Sequence, residues 1–525
     1  MKLLYKIYTF FKYYPGRNIR KYFIFKGEKP KIDYDGKYKK ILFCPFAPHR
    51  INIIREAIWA HSCSLRGADV KMISYDLFLP AIDFISPKVK KDLKVSYSHV
   101  RRLYQLTGLD ATYLSEYLDK IEFPNSDILS PDEIISLEFD GIVLGDLVTA
   151  STIRYFFSNG PEWDNPVFLK KARDFAYSAL LLTRIFILLL KKEQPDKLVF
   201  SHGIYVSWGT LFRVARHLGI PVDIYGSSYR KDTLRFYHNA PNAPFPEGEW
   251  KKFENKDLSS EELGIVDKYI KSRSTQSEDS VSLFSEQDNF PEGLQSFLKN
   301  AAESSAKLFG LFSNISWDAY MFRNSNTSFE NMVEWVNDNI NYFSKRKDAF
   351  VIIKAHPSED YFDVPEKYRL KNCISKDLPD NILFLHEKAN VKPEILYKYL
   401  DIGLIYTSTV SLEMALKKIP VISAGSGGHY SNKGFTLDPK NKTEYFDFIE
   451  KLNSGELTYN PDTDMAKKYL YFRFFREALK NNLLRVEKYN IKEYYFTSAN
   501  DLLPGRDRSL DIICDGILKG TSFIN

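Results

Sequence analysis

Residues Leu404 to Gly434 read LIYTSTVSLEMALKKIPVISAGSGGHYSNKG: an apolar strand, a hydroxyl-rich turn, a helix, a second strand and a glycine-rich exit. Two strands joined through a helix demand a parallel α/β layer, half of the kind that holds nucleotides. The run Asp401 to Tyr406 ends in Thr407, Ser408 and Thr409, and the helically spaced pairs Val410 with Met414 and Leu412 with Leu416 follow at once. The three hydroxyls should therefore sit at a helix start, where free N–H groups and a partial positive charge suit a phosphate. An ordinary cap of Ser and Thr is the other reading of the same residues.

Upstream, Ala349 to Lys354 (AFVIIK) is a continuous apolar strand that runs into Ala355, His356, Pro357, Ser358 and Glu359. A buried parallel strand followed by a polar loop places ligand groups at the carboxyl edge of an open sheet. Pro357 cannot continue a ladder, so the strand stops there and His356 stands at its end, as a ligand contact or as a packed histidine. A further strand, Ala306 to Ser313, delivers Asn314, Ser316, Trp317 and Asp318 into a loop. Asp318 there could orient a hydroxyl or simply make a turn.

Taken together, KAHPSE at Lys354 to Glu359, YTSTVSLEMALKKIPVISAG from Tyr406 and SNISWDA from Ser313 resemble the capsule polysaccharide biosynthesis family, which includes bacterial Kdo transferases. The resemblance is strongest over about residues 308–434, with lesser patches at Phe139 to Phe156 and Ser201 to Gly209. It implies the GT-B architecture, two doubly wound Rossmann-like domains facing a central cleft. It also implies that the loop carrying Asn314 and Asp318 borders a donor pocket.

The length of 525 residues exceeds what one core supports and suggests two domains, and an apolar share of 44% with 27% charged residues excludes a disordered chain. Cys44, Cys63, Cys373 and Cys514 are scattered without paired spacing, which argues against a zinc site or a disulfide framework and for a reducing cytoplasm. Lys2, Lys6, Lys12, Arg17, Arg20, Lys21 and Lys26, among others, oppose only Glu28 in a lead that is also rich in Tyr and Phe. Such a segment lies in an anionic membrane interface or docks on its own protein. It is no signal peptide, and the rest of the chain has no concentrated basic face for nucleic acid.

The first sheet begins at Lys39 to Phe46, followed by a turn with His49 and Arg50, a helix from about Asn52 to Arg66 and a strand at Val70 to Ser74. No G-x-G-x-x-G accompanies it, so no dinucleotide is signalled. His49 is an acid/base candidate or a surface loop residue, and Arg50 a candidate anion contact. Residues 78–138 read as a helical insertion. Asp146 is either a site carboxylate or a helix cap, and His202, at the end of the strand Lys197 to Ser201, either a second site histidine or a cap. Phe175 to Leu190 is too short to span a bilayer and carries Arg184, so it reads as a buried helix. The resulting division is a basic lead over 1–32 and an acceptor domain over 33–240. A linker over 241–295, a nucleotide-sugar domain over 296–460 and helices over 461–525 that pack back on the first domain complete it.

Three functional classes compete. The first is a metal-independent glycosyltransferase that moves a sugar from a nucleotide-activated donor to a surface glycan or lipid-linked acceptor, with no cofactor. It would act in the cytoplasm, peripheral on the inner membrane face. In that reading His356, Lys354, Thr407, Ser408 and Thr409 meet the donor phosphates, Pro357 belongs to the same donor-binding set, Glu413 meets the ribose, and His49, His202 or Asp146 serves near the acceptor. The second is a sugar-nucleotide epimerase or polyol-phosphate transferase on the same fold. The third is a non-catalytic glycan-binding protein.

Overall fold

The computed structural model describes residues 36–45, 50–76, 79–82, 101, 103–241, 244–273, 277–279, 291, 293–318, 328–389, 391–425, 430–487 and 490–525. The basic lead, His49, much of the insertion and the glycine run Ser426 to Gly428 lie outside them. The chain forms two compact α/β units. One takes residues up to 155 with 161–244 and 476–525, the other 156–160 with 245–475.

In the first unit β1 (Lys40–Phe43), β2 (Asp69–Ser74), β3 (Ala111–Tyr113), β4 (Lys197–Ser201), β5 (Val222–Ser227) and β6 (Thr233–His238) join a short strand Leu479–Lys480 in one sheet. Its order is Leu479–Lys480, β6, β5, β4, β1, β2, β3, parallel from β5 to β3 and antiparallel at β6 and beyond. The parallel strands are covered by helices, among them α1 (Arg50–Leu65) and α2 (Pro166–Glu193). The apolar run of α2 is buried along most of its length, and no described helix is long and apolar enough to cross a membrane. Ile54, Ala57, Trp59 and Cys63 of α1 share one core cluster with Leu510, Ile513, Cys514 and Ile517 of the helix Arg508–Lys519. The thiols of Cys63 and Cys514 stand 4.0 Å apart, as free cysteines.

The second unit holds a five-stranded sheet of β7 (Lys307–Phe312), β8 (Ala349–Lys354), β9 (Ile382–Leu385), β10 (Ile402–Ile405) and β11 (Val421–Ser423). Its order is β9, β8, β7, β10, β11, and every pair is parallel. This is the doubly wound arrangement, in which the winding reverses between β7 and β10. Both faces are buried, Leu311, Ile353 and Leu404 on one and Phe312, Ile352 and Ile405 on the other. That is why these strands read as continuous apolar runs rather than alternating ones.

Three segments differ from expectation. The insertion is not purely helical, because Ala111–Tyr113 pairs with β2 and forms the edge of the first sheet. Residues 241–295 are not a bare linker, since helices Glu247–Phe253 and Ser260–Ser272 belong to the second unit. The Lys/Arg and aromatic stretch from Met465 is not one helix to Leu484. It is α-helical over Thr463–Tyr471, turns wider at Phe472–Arg476 and then becomes strand. Phe472 and Phe474 are buried among the aromatic side chains of the second unit, so packing overrides the helical period.

Candidate functional site

The registers of the second sheet bring three separate loops to one level. Phe312 of β7 lies beside Lys354 of β8 on one side and Ile405 of β10 on the other. Asn314, His356 and Thr407 each stand two residues beyond that level at the carboxyl edge, Asn314 and Thr407 on the two strands between which the winding reverses and His356 on the next strand, β8. Open α/β sheets bind their ligands at such a point, because loops leaving adjacent strands diverge there and open a crevice.

Asn314 ties the crevice together. Its Nδ2 donates to the Thr407 carbonyl and, at 2.9 Å, to Thr407 Oγ1. Ser408, rather than Thr409, caps the helix Val410–Leu416. Its Oγ accepts from the Val410 N–H at 3.3 Å, and its carbonyl accepts from the Ser411 hydroxyl at 2.7 Å, while Thr409 makes no side-chain cap bond.

His356 is half-buried, and its Nδ1 accepts a hydrogen bond from the Ser358 N–H at 3.2 Å. That bond puts the ring proton on Nε2, which has no partner among the described residues. Burial, with the Lys354 charge adding to it, lowers its pKa to about 4. At neutral pH His356 is therefore an uncharged N–H donor.

Lys354 is buried and donates to the Ala389 carbonyl at 3.2 Å, in the loop after β9. Its pKa falls to about 8 through burial, opposed by Glu387. Pro357 precedes the single turn Ser358–Tyr361. Asp318 lies half-buried in the turn after Trp317 and is engaged in an interaction of its own.

Glu413 lies on the first turn of the Val410–Leu416 helix, but both its carboxylate oxygens are engaged. One pairs with Arg273 and the other accepts from Tyr397 OH at 2.7 Å. Arg273 also pairs with Asp279, which accepts from Tyr269 OH at 2.7 Å. The Arg273 pKa is raised because the Glu413 and Asp279 charges outweigh its burial, whereas burial raises that of Tyr397, helped by Glu413. A ribose at Glu413 would have to share the carboxylate with Arg273. Nothing in the sequence pointed to Arg273, which follows a capped helix inside the supposed linker.

Glu359, the last residue of KAHPSE, was likewise unassigned. It is buried, accepts from the Leu370 N–H at 3.2 Å, and has a pKa raised to about 7, chiefly by burial.

In the first unit the winding reverses between β1 and β4, and His202 leaves β4 at that point. His202, Gly203 and Tyr205 all have positive φ, at 61°, 67° and 63°. Strain of this kind in two non-glycine residues is retained only where the surroundings demand it. Ser201 Oγ contacts His202 Nδ1, and the imidazole stacks on Trp208 with ring centroids 4.9 Å apart. Asp146 is gripped by Arg213 through both carboxylate oxygens and is 45% exposed, which makes it an ion-pair partner on the surface.

No family model and no curated protein matches the chain. Among solved structures, the chain is similar to a KpsC β-Kdo 2,4 transferase of Thermosulfurimonas dismutans at 12% identity, over 59% of this chain and 87% of that one, with a TM-score of 0.35. It is similar to the spinosyn rhamnosyltransferase SpnG at 12% identity, over 82% and 94%, with a TM-score of 0.25. A third match is a putative UDP-N-acetylglucosamine 2-epimerase from Listeria monocytogenes, at 9% identity over 83% and 95%, with a TM-score of 0.24. At these scores the α/β assignment rests on the strand order and registers above.

Proposed function

We propose that the chain is a glycosyltransferase, which takes a sugar from a nucleotide-activated donor held by the second unit and passes it to a glycan or lipid-linked acceptor handled by the first. The observation that carries this reading is the common level of Asn314, His356 and Thr407 at the carboxyl edge of the second sheet, at and beside its reversal point. Glycosyl transfer from a nucleotide builds negative charge on the departing phosphate oxygen. An uncharged N–H donor fixed at a strand end stabilises that charge more as it grows than it does in the bound donor.

His356 supplies that donor through Nε2, since Nδ1 is occupied by the Ser358 N–H. The backbone N–H groups of Val410, Ser411 and Leu412 already donate to Ser408 and Thr409, so His356 carries the phosphate contact. In this mechanism phosphate departure needs no metal, and the basic lead brings the enzyme to an anionic membrane carrying its acceptor.

The test is a donor screen by thermal shift across UDP-, GDP-, CMP- and CDP-linked compounds, followed by kinetics of His356→Ala with the donor that binds. Turnover should fall by about 2 to 4 kcal/mol of transition-state stabilisation, with little change in donor dissociation constant. Near-normal turnover in a folded variant removes His356 from the mechanism, and a wild-type protein that stabilises with none of the donors removes the whole reading.

A further inference from the structure

We infer that residues 121–146 of the first unit form a docking face for the chain's own basic, aromatic lead. Four of the ten large apolar side chains that stand exposed among the described residues fall within this stretch: Phe123, Ile128, Ile135 and Val143, at 49% to 76% exposure. Exposed apolar side chains scattered singly are ordinary, but such a concentration marks a contact surface.

The stretch lies along α2. Arg173 Nε donates to the Leu129 carbonyl at 2.8 Å. Three turns further on, Arg184 donates to the Glu122 carbonyl, and its guanidinium covers the Phe139 ring at 5.0 Å. The segment before the helix Pro131–Ile135 therefore runs antiparallel to α2, and the hairpin of Glu138–Phe139 with Ile142–Val143 meets α2 at the same point. Leu188, one turn beyond Arg184, is also exposed and carries the apolar surface toward the end of α2.

Charge selects the occupant. Residues 121–146 contain seven Asp and Glu and no Lys, Arg or His, and all seven are exposed. Among the described residues, only Asp146 of these has an ion-pair partner. A second copy of the face would set acid against acid, and an anionic surface would be repelled. The lead has the opposite character. Residues 1–31 hold nine Lys and Arg against one Glu, interleaved with Leu3, Leu4, Tyr5, Ile7 and Phe10 among others.

The lead also reaches. Lys40, at the start of β1, pairs with Glu193 at the last residue of α2, so the chain enters the first unit beside that end of the helix. Arg184 lies about 14 Å back along α2, and a segment as long as the lead extends about 46 Å even if coiled as a helix. An anionic bilayer offers the lead the same pairing of charge and apolar contact, so docking on this face and the membrane contact proposed above exclude each other.

The experiment places the photocrosslinker p-benzoylphenylalanine at Phe123, Ile128 or Tyr495 of the full chain and maps the crosslinked peptides by mass spectrometry. Tyr495 is exposed in the same unit but outside residues 121–146. Phe123 and Ile128 should crosslink within one molecule to peptides from residues 1–31, and Tyr495 should not. Combining Glu122→Gln, Asp127→Asn, Glu138→Gln and Asp140→Asn, all at exposed positions, should lower the yield at least about threefold, as should raising the salt to about 0.5 M. Vesicles of equal parts phosphatidylglycerol and phosphatidylcholine should suppress the crosslink, and phosphatidylcholine alone should not.

Crosslinks that miss the lead, that are equally strong from Tyr495, or that form only between two molecules overturn the docking face. So does a yield that the four neutral substitutions leave unchanged. A yield that anionic vesicles leave unchanged overturns the mutual exclusion.

Discussion

His356 and Glu359 sit three positions apart, and burial moves their titrations in ways that oppose one another. The His356 pKa drops from 6.5 to about 4, so between those values the unfolded chain binds more protons, and the stability due to this group is lost as pH falls through the window. The Glu359 pKa rises from 4.5 to about 7, so here the folded chain binds more protons, and stability is lost as pH rises through that window. Above about pH 6.5 only Glu359 still acts. Glu359→Gln keeps an acceptor for the Leu370 N–H and cannot ionise, so its melting temperature relative to wild type should climb between pH 5 and pH 8, by up to about 3 kcal/mol in stability. A difference that stays flat with pH would show that Glu359 titrates normally. His356 and its strand-end position were legible in the sequence. Its charge state was not, because that depends on desolvation by residues remote in the chain.

At the scale of elements, the helix Ser260–Ser272 is fastened to the helix Val410–Leu416 by Arg273, which spans Asp279 and Glu413. Arg273→Ala would leave two carboxylates, 6% and 14% exposed, facing each other without a cation. We expect a loss of about 2 to 4 kcal/mol in unfolding free energy by denaturant titration. Asp279→Asn combined with Arg273→Ala should recover part of it, since one of the two uncompensated charges is gone. A cost for Arg273→Ala below about 0.5 kcal/mol would place this pair with ordinary surface salt bridges. The elements themselves were mostly readable: AFVIIK and KLVFS are strands over the residues their apolar runs marked. The ones that misled were segments whose local period is helical or polar but whose partners lie elsewhere, such as Ala111–Tyr113 and Leu479–Lys480.

For the whole molecule, the first unit is completed by the end of the chain. Leu479 and Lys480 extend its sheet, and Leu510, Ile513, Cys514 and Ile517 fill the core beneath α1. A protein truncated after Phe475 should lose the cooperative unfolding of that unit, because the missing side chains leave α1 and β1 with an open apolar face. Two unchanged transitions by calorimetry in the truncated chain would contradict this. Limited proteolysis should leave a resistant fragment containing residues 245–475, whose two core clusters use no residue after Phe475.

Apolar runs, a proline at a strand end and hydroxyls before a helix are local signals, and by themselves they determined the α/β class, most strands and the candidates His356 and Thr407. Only the tertiary structure decided that Asn314, His356 and Thr407 share a level, since strand order comes from pairing between segments far apart in the chain. It also decided that Glu413 meets Arg273 from 140 residues away and that Asn314 keeps one buried acceptor unmet. Such facts depend on what surrounds a side chain after folding, and no local pattern encodes that surrounding.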